Sequence, residues 1–257
     1  MVYILLPAYN EEKALPKLFD TIVQAFASAG EEYTVVVVDD GSTDATAKTA
    51  REHAPGMTVV LLQHETNKGL GTAMKTGLWY LSQVSADTDY IVALDADNTH
   101  NPRLIFAMID KAREGHDVVI ASRYAPGGRE IGLTLYRKLL SRGASVLLST
   151  FFRVKGAKDY TCGFRVYSSR IIKRAFQLYG DRFIEEKGFV CMAEILVKLD
   201  RLSARVAEVG LVLRYDLKEG ASKMQVGKTV LGYLRLILIR RFYHLSGQKE
   251  TMGGDFK

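Results

Sequence analysis

The sequence predicts an α/β protein whose mostly parallel sheet is flanked by helices. Three observations carry this. Short β-rich apolar runs alternate with helical patterns through the first half of the chain, as repeated strand–helix–strand units do. One run, "YTVVVVDD", is apolar throughout, which suits a strand covered on both faces. Polar and acidic residues follow each run, and such sheets bind ligands at the carboxyl ends of their strands.

The elements follow in order. "VYILLP" is the first strand, and Glu11 to Ala29 repeats Leu15, Leu18, Phe19, Ile22, Val23 and Phe26 at helical spacing. After the second strand, Ser42, Thr43 and Asp44 offer helix caps. "MTVVLLQ" is the third strand, and "GLGTAMKTGLWYLSQV" is a helix weakened by its glycines. "DYIVALDAD" is the fourth, followed by a helix with Asn101 as N-cap and Pro102 in the first turn. "DVVIASRY" is the fifth. "LYRKLLSRGASVLLSTFF" reads as a basic, apolar helix and "DYTCGFRVYSS" as a turn with short extended pieces. "SRIIKRAFQLY" and "FVCMAEILVKLDRL" read as helices, and "RVAEVGLVLRYD" is strand-like. Residues 1–225 are expected to form the main domain and 226–257 an amphipathic tail. In the tail Val226, Val230, Leu231, Leu234, Ile237 and Leu238 share one face.

Bulk properties narrow the partners. The net charge is +6 and the pI about 9.2, which suits phosphate-bearing ligands, nucleic acid or an anionic membrane surface. No nucleic-acid motif occurs, so a nucleic-acid partner is not expected. Cys162 and Cys191 are far apart and not metal-spaced, as in a reducing compartment. The start lacks a basic n-region, and no run of about 20 apolar residues occurs. A signal peptide and a membrane span are therefore not expected.

The chemistry centres on "LDADN". In an extended chain Asp95 and Asp97 point the same way, with small Ala96 between them. Two carboxylates there can hold a hard divalent cation, Mg²⁺ or Mn²⁺; acids at a strand end can equally cap the next helix. In "DDGSTD", Asp39 or Asp40 could accept hydrogen bonds from a base or a ribose, beside a turn that Gly41 permits; the segment can equally be a plain strand-to-helix turn. "PAYNEE" supplies Pro7, Tyr9 with a face for stacking, and Glu11 at a helix start.

As a set, "PAYNEE", "DDGSTD", "NKGLGTAMKTG", "LDADNTH" and "ASRY", in this order and spacing, resemble the family 2 glycosyltransferases. Their fold is the Rossmann-like GT-A, or nucleotide-diphospho-sugar transferase, fold. The likeness runs from about Val2 to Asp216 and is greatest to the dolichol-phosphate mannosyltransferase group. It implies a base and ribose pocket at Pro7, Tyr9, Glu11, Val38 and Asp40. It implies a donor-diphosphate and metal segment at Asp95, Ala96 and Asp97. Arg123 would contact the donor, and Lys223 of "EGASKM" would reach the diphosphate. Two positions depart from the pattern. Thr99 stands where relatives carry a Gln that ligates the metal, and Lys218 is the nearest basic residue where they carry an Arg.

The resemblance thus implies a metal-dependent inverting transfer of a hexose from a nucleotide-diphosphate sugar to a polyprenyl phosphate. An anionic acceptor needs no base, only cations to hold it; Arg129, Arg137, Lys138, Arg142 and Arg165 are candidates. If the acceptor were a sugar hydroxyl, Glu185 or Glu186 of "IEEKGF" would serve as base. The basic amphipathic tail suits peripheral contact with the cytoplasmic face of a membrane. A sugar-phosphate nucleotidyltransferase would need a Gly-rich basic loop after the first strand, which "PAYNEE" is not. A non-catalytic nucleotide-sugar-binding module would have no need of the acid pair.

Overall fold

The structure is a computed structural model that describes residues 1–52, 56–218 and 226–246. Its strands are β1 (Val2–Ala8), β2 (Tyr33–Asp39), β3 (Val59–Gln63), β4 (Tyr90–Ala93), β5 (Val118–Ser122), β6 (Arg129–Ile131), β7 (Arg165–Ser168), β8 (Val206–Gly210) and β9 (Val212–Arg214). Its helices are α1 (Ala14–Ala27), α2 (Thr46–Glu52), α3 (Leu70–Val84), α4 (Leu104–Arg113), α5 (Leu135–Phe152), α6 (Ser169–Tyr179), α7 (Cys191–Asp200) and α8 (Val226–Ser246). The main sheet runs β3-β2-β1-β4-β7-β5-β8, and β6 pairs with β9 in a separate ribbon.

The expected mostly parallel sheet is present. β1 is parallel to both β2 and β4, β2 to β3, and β5 to β8. Val35 to Val38 are fully buried, as both faces of the sheet are covered. Phe26 of α1 meets Phe106 of α4 with ring centres 5.0 Å apart on one face. Helices α3, α6 and α7 pack together on the other.

Strand β7 differs from expectation. The segment read as a turn with extended pieces is a central strand, antiparallel between β4 and β5. It is only four residues long and carries Arg165, so neither alternation nor an apolar run marks it. The chain leaves β5, runs through α5 and re-enters a slot left open in the sheet.

Helix α1 starts at Ala14 rather than Glu11, although the Glu11 carbonyl already accepts the Leu15 N–H at 3.0 Å; the Glu11 N–H donates to Thr46 Oγ1 at 2.7 Å. Helix α3 forms in spite of its glycines, and close packing explains two of them. A Cβ on Gly71 would lie 1.7 Å from the Glu186 carbonyl oxygen, and one on Gly69 would lie 2.5 Å from that of Lys187.

Helix α8 buries Tyr233, Leu236 and Ile237 against the body. Of the expected apolar face, Val230, Leu231, Leu234 and Leu238 are exposed and Ile237 is buried. Among the described residues no helix is long and apolar enough to cross a membrane.

Candidate active site

The ends of β1, β2, β4 and β5 open into a cleft of about 1900 Å³. Pro7, Tyr9, Glu11, Asp40, Asp95, Ala96, Asp97, Arg123 and Lys218 all line it. Val38 does not: its side chain is fully buried beneath Gly77, in the core. Lys223 lies outside the described residues.

The acid pair is built by a turn, not by strand alternation. β4 stops at Ala93, and the chain turns through Asn98 at φ +63°. Asn98 Nδ2 donates to the Ala14 carbonyl at 3.0 Å, fastening the turn to the start of α1. Burial raises the Asp95 pKa; His100 opposes this and Asp97 adds to it. Among the described residues the Asp95 carboxylate accepts no hydrogen bond. Gly163 leaves room beside it, since a Cβ there would come within 3.3 Å of Asp95 Oδ1.

Asp97 is held from both sides. Thr99 Oγ1 donates to its Oδ1 at 2.6 Å, and Lys218 Nζ donates to Oδ2. Burial would raise its pKa, but Lys218 and His100 outweigh burial and bring it below the ordinary range. Thr99 therefore orients an acid. His100 went unremarked in the sequence; its ring lies 5.1 Å from that of Phe164, and Nδ1 accepts the Asp95 N–H at 3.3 Å.

A divalent cation fits this donor set. One carboxylate is bare, the other is pre-aimed, and the pair already attracts an ammonium. Among the described residues no cluster of three or more His, Cys, Asp or Glu could hold a metal. The described residues offer the two carboxylates of Asp95 and Asp97, and Mg²⁺ ordinarily takes one or two when substrate phosphates complete its shell.

Arg123 lines the cleft with its guanidinium already engaged by protein. Its Nε and Nη2 clasp Asp159 at 2.7 Å each, Nη2 also reaches Thr161 at 2.7 Å, and Nη1 reaches Ser141 at 2.8 Å and Glu130 at 3.3 Å. A guanidinium has five N–H donors, and all are committed. Burial works against its charge, but Asp159 more than offsets this and raises its pKa. Arg123 ties the end of β5 to α5 and to the loop before β7. Asp40 is likewise committed: it accepts from His64 at 2.6 Å and from the N–H groups of Lys68 and Gly69 at 2.9 and 2.7 Å. It fixes the "NKG" loop at the cleft wall.

The candidate acceptor cations separate. Arg165 is fully buried and donates to the carbonyls of Met192 (2.7 Å) and Tyr160 (2.9 Å), so it braces the core. Lys138 donates to the Glu130 carbonyl, Arg129 is exposed, and Arg142 lies 5.9 Å from the Tyr124 ring. Arg137 does face the cleft. It donates to the Tyr215 hydroxyl at 2.7 Å, and both it and Lys218 stand 5.7 Å from that ring.

Glu185 and Glu186 line the same cleft on a loop organised by a pair the sequence reading missed. Buried Glu194 accepts the N–H groups of both, each at 2.9 Å, and pairs with buried Lys198 at 2.6 Å. Lys198 also meets Glu185 at 3.0 Å. Burial, then Glu194, raises the Glu186 pKa. The available signal was a Glu and a Lys four apart in a helix otherwise apolar all round.

The sheet gathers an acid pair, an aromatic and basic groups at its strand ends, the place where α/β sheets of this kind bind ligands. The model for "Glycosyl transferase family 2" matches residues 3–177, and the chain belongs to that family. It is a glycosyltransferase. It is 32% identical over 237 residues to a dolichol-phosphate mannosyltransferase of Pyrococcus furiosus, covering 92% of this chain and 62% of that protein's length. It is 31% identical over 246 residues to an undecaprenyl-phosphate mannosyltransferase of Micrococcus luteus, covering 94% and 96%. A glucosyl-3-phosphoglycerate synthase of Mycobacterium tuberculosis, solved with Mn²⁺, uridine diphosphate and phosphoglyceric acid, shares the fold. Its TM-score is 0.65 at 19% identity, over 92% of this chain and 78% of that one.

Proposed function

We propose that this glycosyltransferase moves a hexose from a nucleotide-diphosphate sugar, of GDP-mannose or UDP-glucose type, to a polyprenyl phosphate, inverting the anomeric carbon. One observation carries the proposal: the acid pair Asp95 and Asp97 stands beside a cationic corner of Lys218, Tyr215 and Arg137 in one cleft. The similarity to polyprenyl-phosphate mannosyltransferases supports the acceptor class.

Asp95 and Asp97 would hold Mg²⁺ or Mn²⁺, which as a Lewis acid offsets charge on the departing diphosphate. Tyr9, Pro7 and Glu11 form the wall for the base and ribose, and Asp40 holds the adjoining loop in place. Arg137 and Lys218 receive phosphate oxygens. The acceptor phosphate oxygen arrives anionic and attacks the anomeric carbon opposite the leaving diphosphate. Arg123 acts through the loops it joins.

The exposed apolar residues suit a lipid acceptor. Leu135, Tyr136, Leu139 and Val146 of α5 are exposed, as are Val230, Leu231, Leu234 and Leu238 of α8, and the two helices touch. This surface, with Lys228, would rest on the cytoplasmic face of a membrane.

A second reading draws on Glu186. It lines the cleft with a raised pKa, as a base for a sugar hydroxyl would. A scan of donors against polyprenyl phosphate and sugar alcohols, in Mn²⁺, separates the two. Transfer to the lipid phosphate that survives Glu186→Gln and is lost in Asp97→Asn is expected. Transfer only to alcohols, abolished by Glu186→Gln, would establish the second reading.

A further inference from the structure

We infer that Lys218 is the resident counter-cation of Asp97, and that it makes metal binding conditional on the donor's diphosphate. The inference rests on the donor-site reading above.

The contact is built, not incidental. Lys218 lies 121 positions from Asp97 in sequence. The Arg214 N–H donates to the Thr99 carbonyl at 3.1 Å, binding the end of β9 to the turn that carries the acids. A short helical turn, Tyr215–Leu217, then delivers Lys218. Its Nζ stands 5.7 Å from the centre of the Tyr215 ring, whose hydroxyl accepts a hydrogen bond from Arg137 at 2.7 Å. The Lys218 and Asp97 side chains are only 13% and 10% exposed, so their attraction is weakly screened.

With Lys218 on Oδ2 and Thr99 on Oδ1, both Asp97 oxygens are engaged. A divalent cation and an ammonium repel strongly at one carboxylate. A metal joining Asp95 and Asp97 therefore drives Lys218 off Oδ2. The expelled ammonium is then half-buried beside a like charge, with Arg137 also nearby. A diphosphate gives it a partner and completes the metal's shell. Metal and diphosphate thus bind with positive coupling, and that coupling is reciprocal. Free metal alone gains little hold, because it must pay for the displaced lysine.

The test measures Mn²⁺ binding, by electron paramagnetic resonance and calorimetry, with and without UDP or GDP. Lys218→Met keeps most of the stem and removes the charge. It is expected to bind Mn²⁺ alone about tenfold more tightly than wild type, the scale of one charge-assisted contact. The tightening of Mn²⁺ by nucleotide should shrink correspondingly. Lys218→Arg, which keeps the charge, should behave as wild type. Mn²⁺ binding in Lys218→Met that is no tighter than wild type would overturn the inference while leaving the metal site intact. Equal tightening in Lys218→Arg would also overturn it, since charge would not be the cause. If no protein binds Mn²⁺ even with nucleotide, the donor-site reading itself fails.

Discussion

Replacing Gly71 by Ala should destabilise this protein, although the same change in most helices stabilises. Alanine ordinarily gains about 1 kcal/mol over glycine in a helix. At Gly71 the added Cβ would meet the Glu186 carbonyl oxygen at 1.7 Å and the Lys187 carbonyl carbon at 3.1 Å. Both are backbone atoms, so no rotamer relieves the contact. The 185–187 loop would have to retreat by about 1.5 Å to reach ordinary van der Waals distance. That breaks the 2.7 Å bond from the Gly71 N–H to the Lys187 carbonyl and strains the two N–H bonds to Glu194. Leaving a buried partner unmade costs about 1–3 kcal/mol. The overpacking itself costs about 1–3 kcal/mol more; set against the helical gain, the net loss is about 1–5 kcal/mol, at roughly 2–4 °C in melting temperature per kcal/mol for a chain of this size. Gly143, within α5, has nothing within 4 Å of an added Cβ. There the same substitution should stabilise by about 0.5–1 kcal/mol. Urea denaturation of both variants is the assay. A Gly71→Ala protein as stable as wild type would refute the packing argument, and Gly143→Ala calibrates the helical term.

Two further outcomes follow from the geometry. Burial would raise the Asp159 pKa, but the Arg123 guanidinium outweighs it and holds it below the ordinary range. A carboxyl depressed on folding adds stability that is present above its unfolded value, about 4, and lost as pH falls through the folded value. Asp159→Asn should cost about 3–5 kcal/mol at neutral pH, as breaking a buried pair does. The gap from wild type should narrow in stability curves taken below about pH 4; a constant gap would refute the pairing. Leu135→Glu with Leu231→Glu should reduce co-sedimentation with anionic vesicles while leaving the melting temperature unchanged, because both side chains are exposed. Unaltered sedimentation would remove the α5–α8 surface from membrane contact.

Much of the fold and the placing of the site are legible in the residues themselves. Alternating strand and helix patterns, and the polar groups that end each strand, are local signals within a few residues of one another. They located the cleft at the carboxyl ends of β1, β2, β4 and β5, and the acid pair within it. The local geometry was less legible. Asp95 and Asp97 line one cleft beyond the end of β4, in a segment that Asn98 fastens to α1 rather than in a continuing strand. Arg123 and Asp40 line the cleft, yet the hydrogen bonds they make go to protein.

What the tertiary structure alone decided are the contacts between distant segments. β7 enters the sheet antiparallel because the β4–β5 slot accepts it, which four residues around an arginine do not announce. Gly71 is required by a backbone 115 positions downstream, in the loop at Glu186. Glu194 and Lys198 hold that loop, and Lys218 meets Asp97 across 121 positions. The physical reason is common to all of them. Periodicity and capping report what a segment prefers by itself, whereas a buried charge or a missing Cβ is explained only by the partner that folding brings to it.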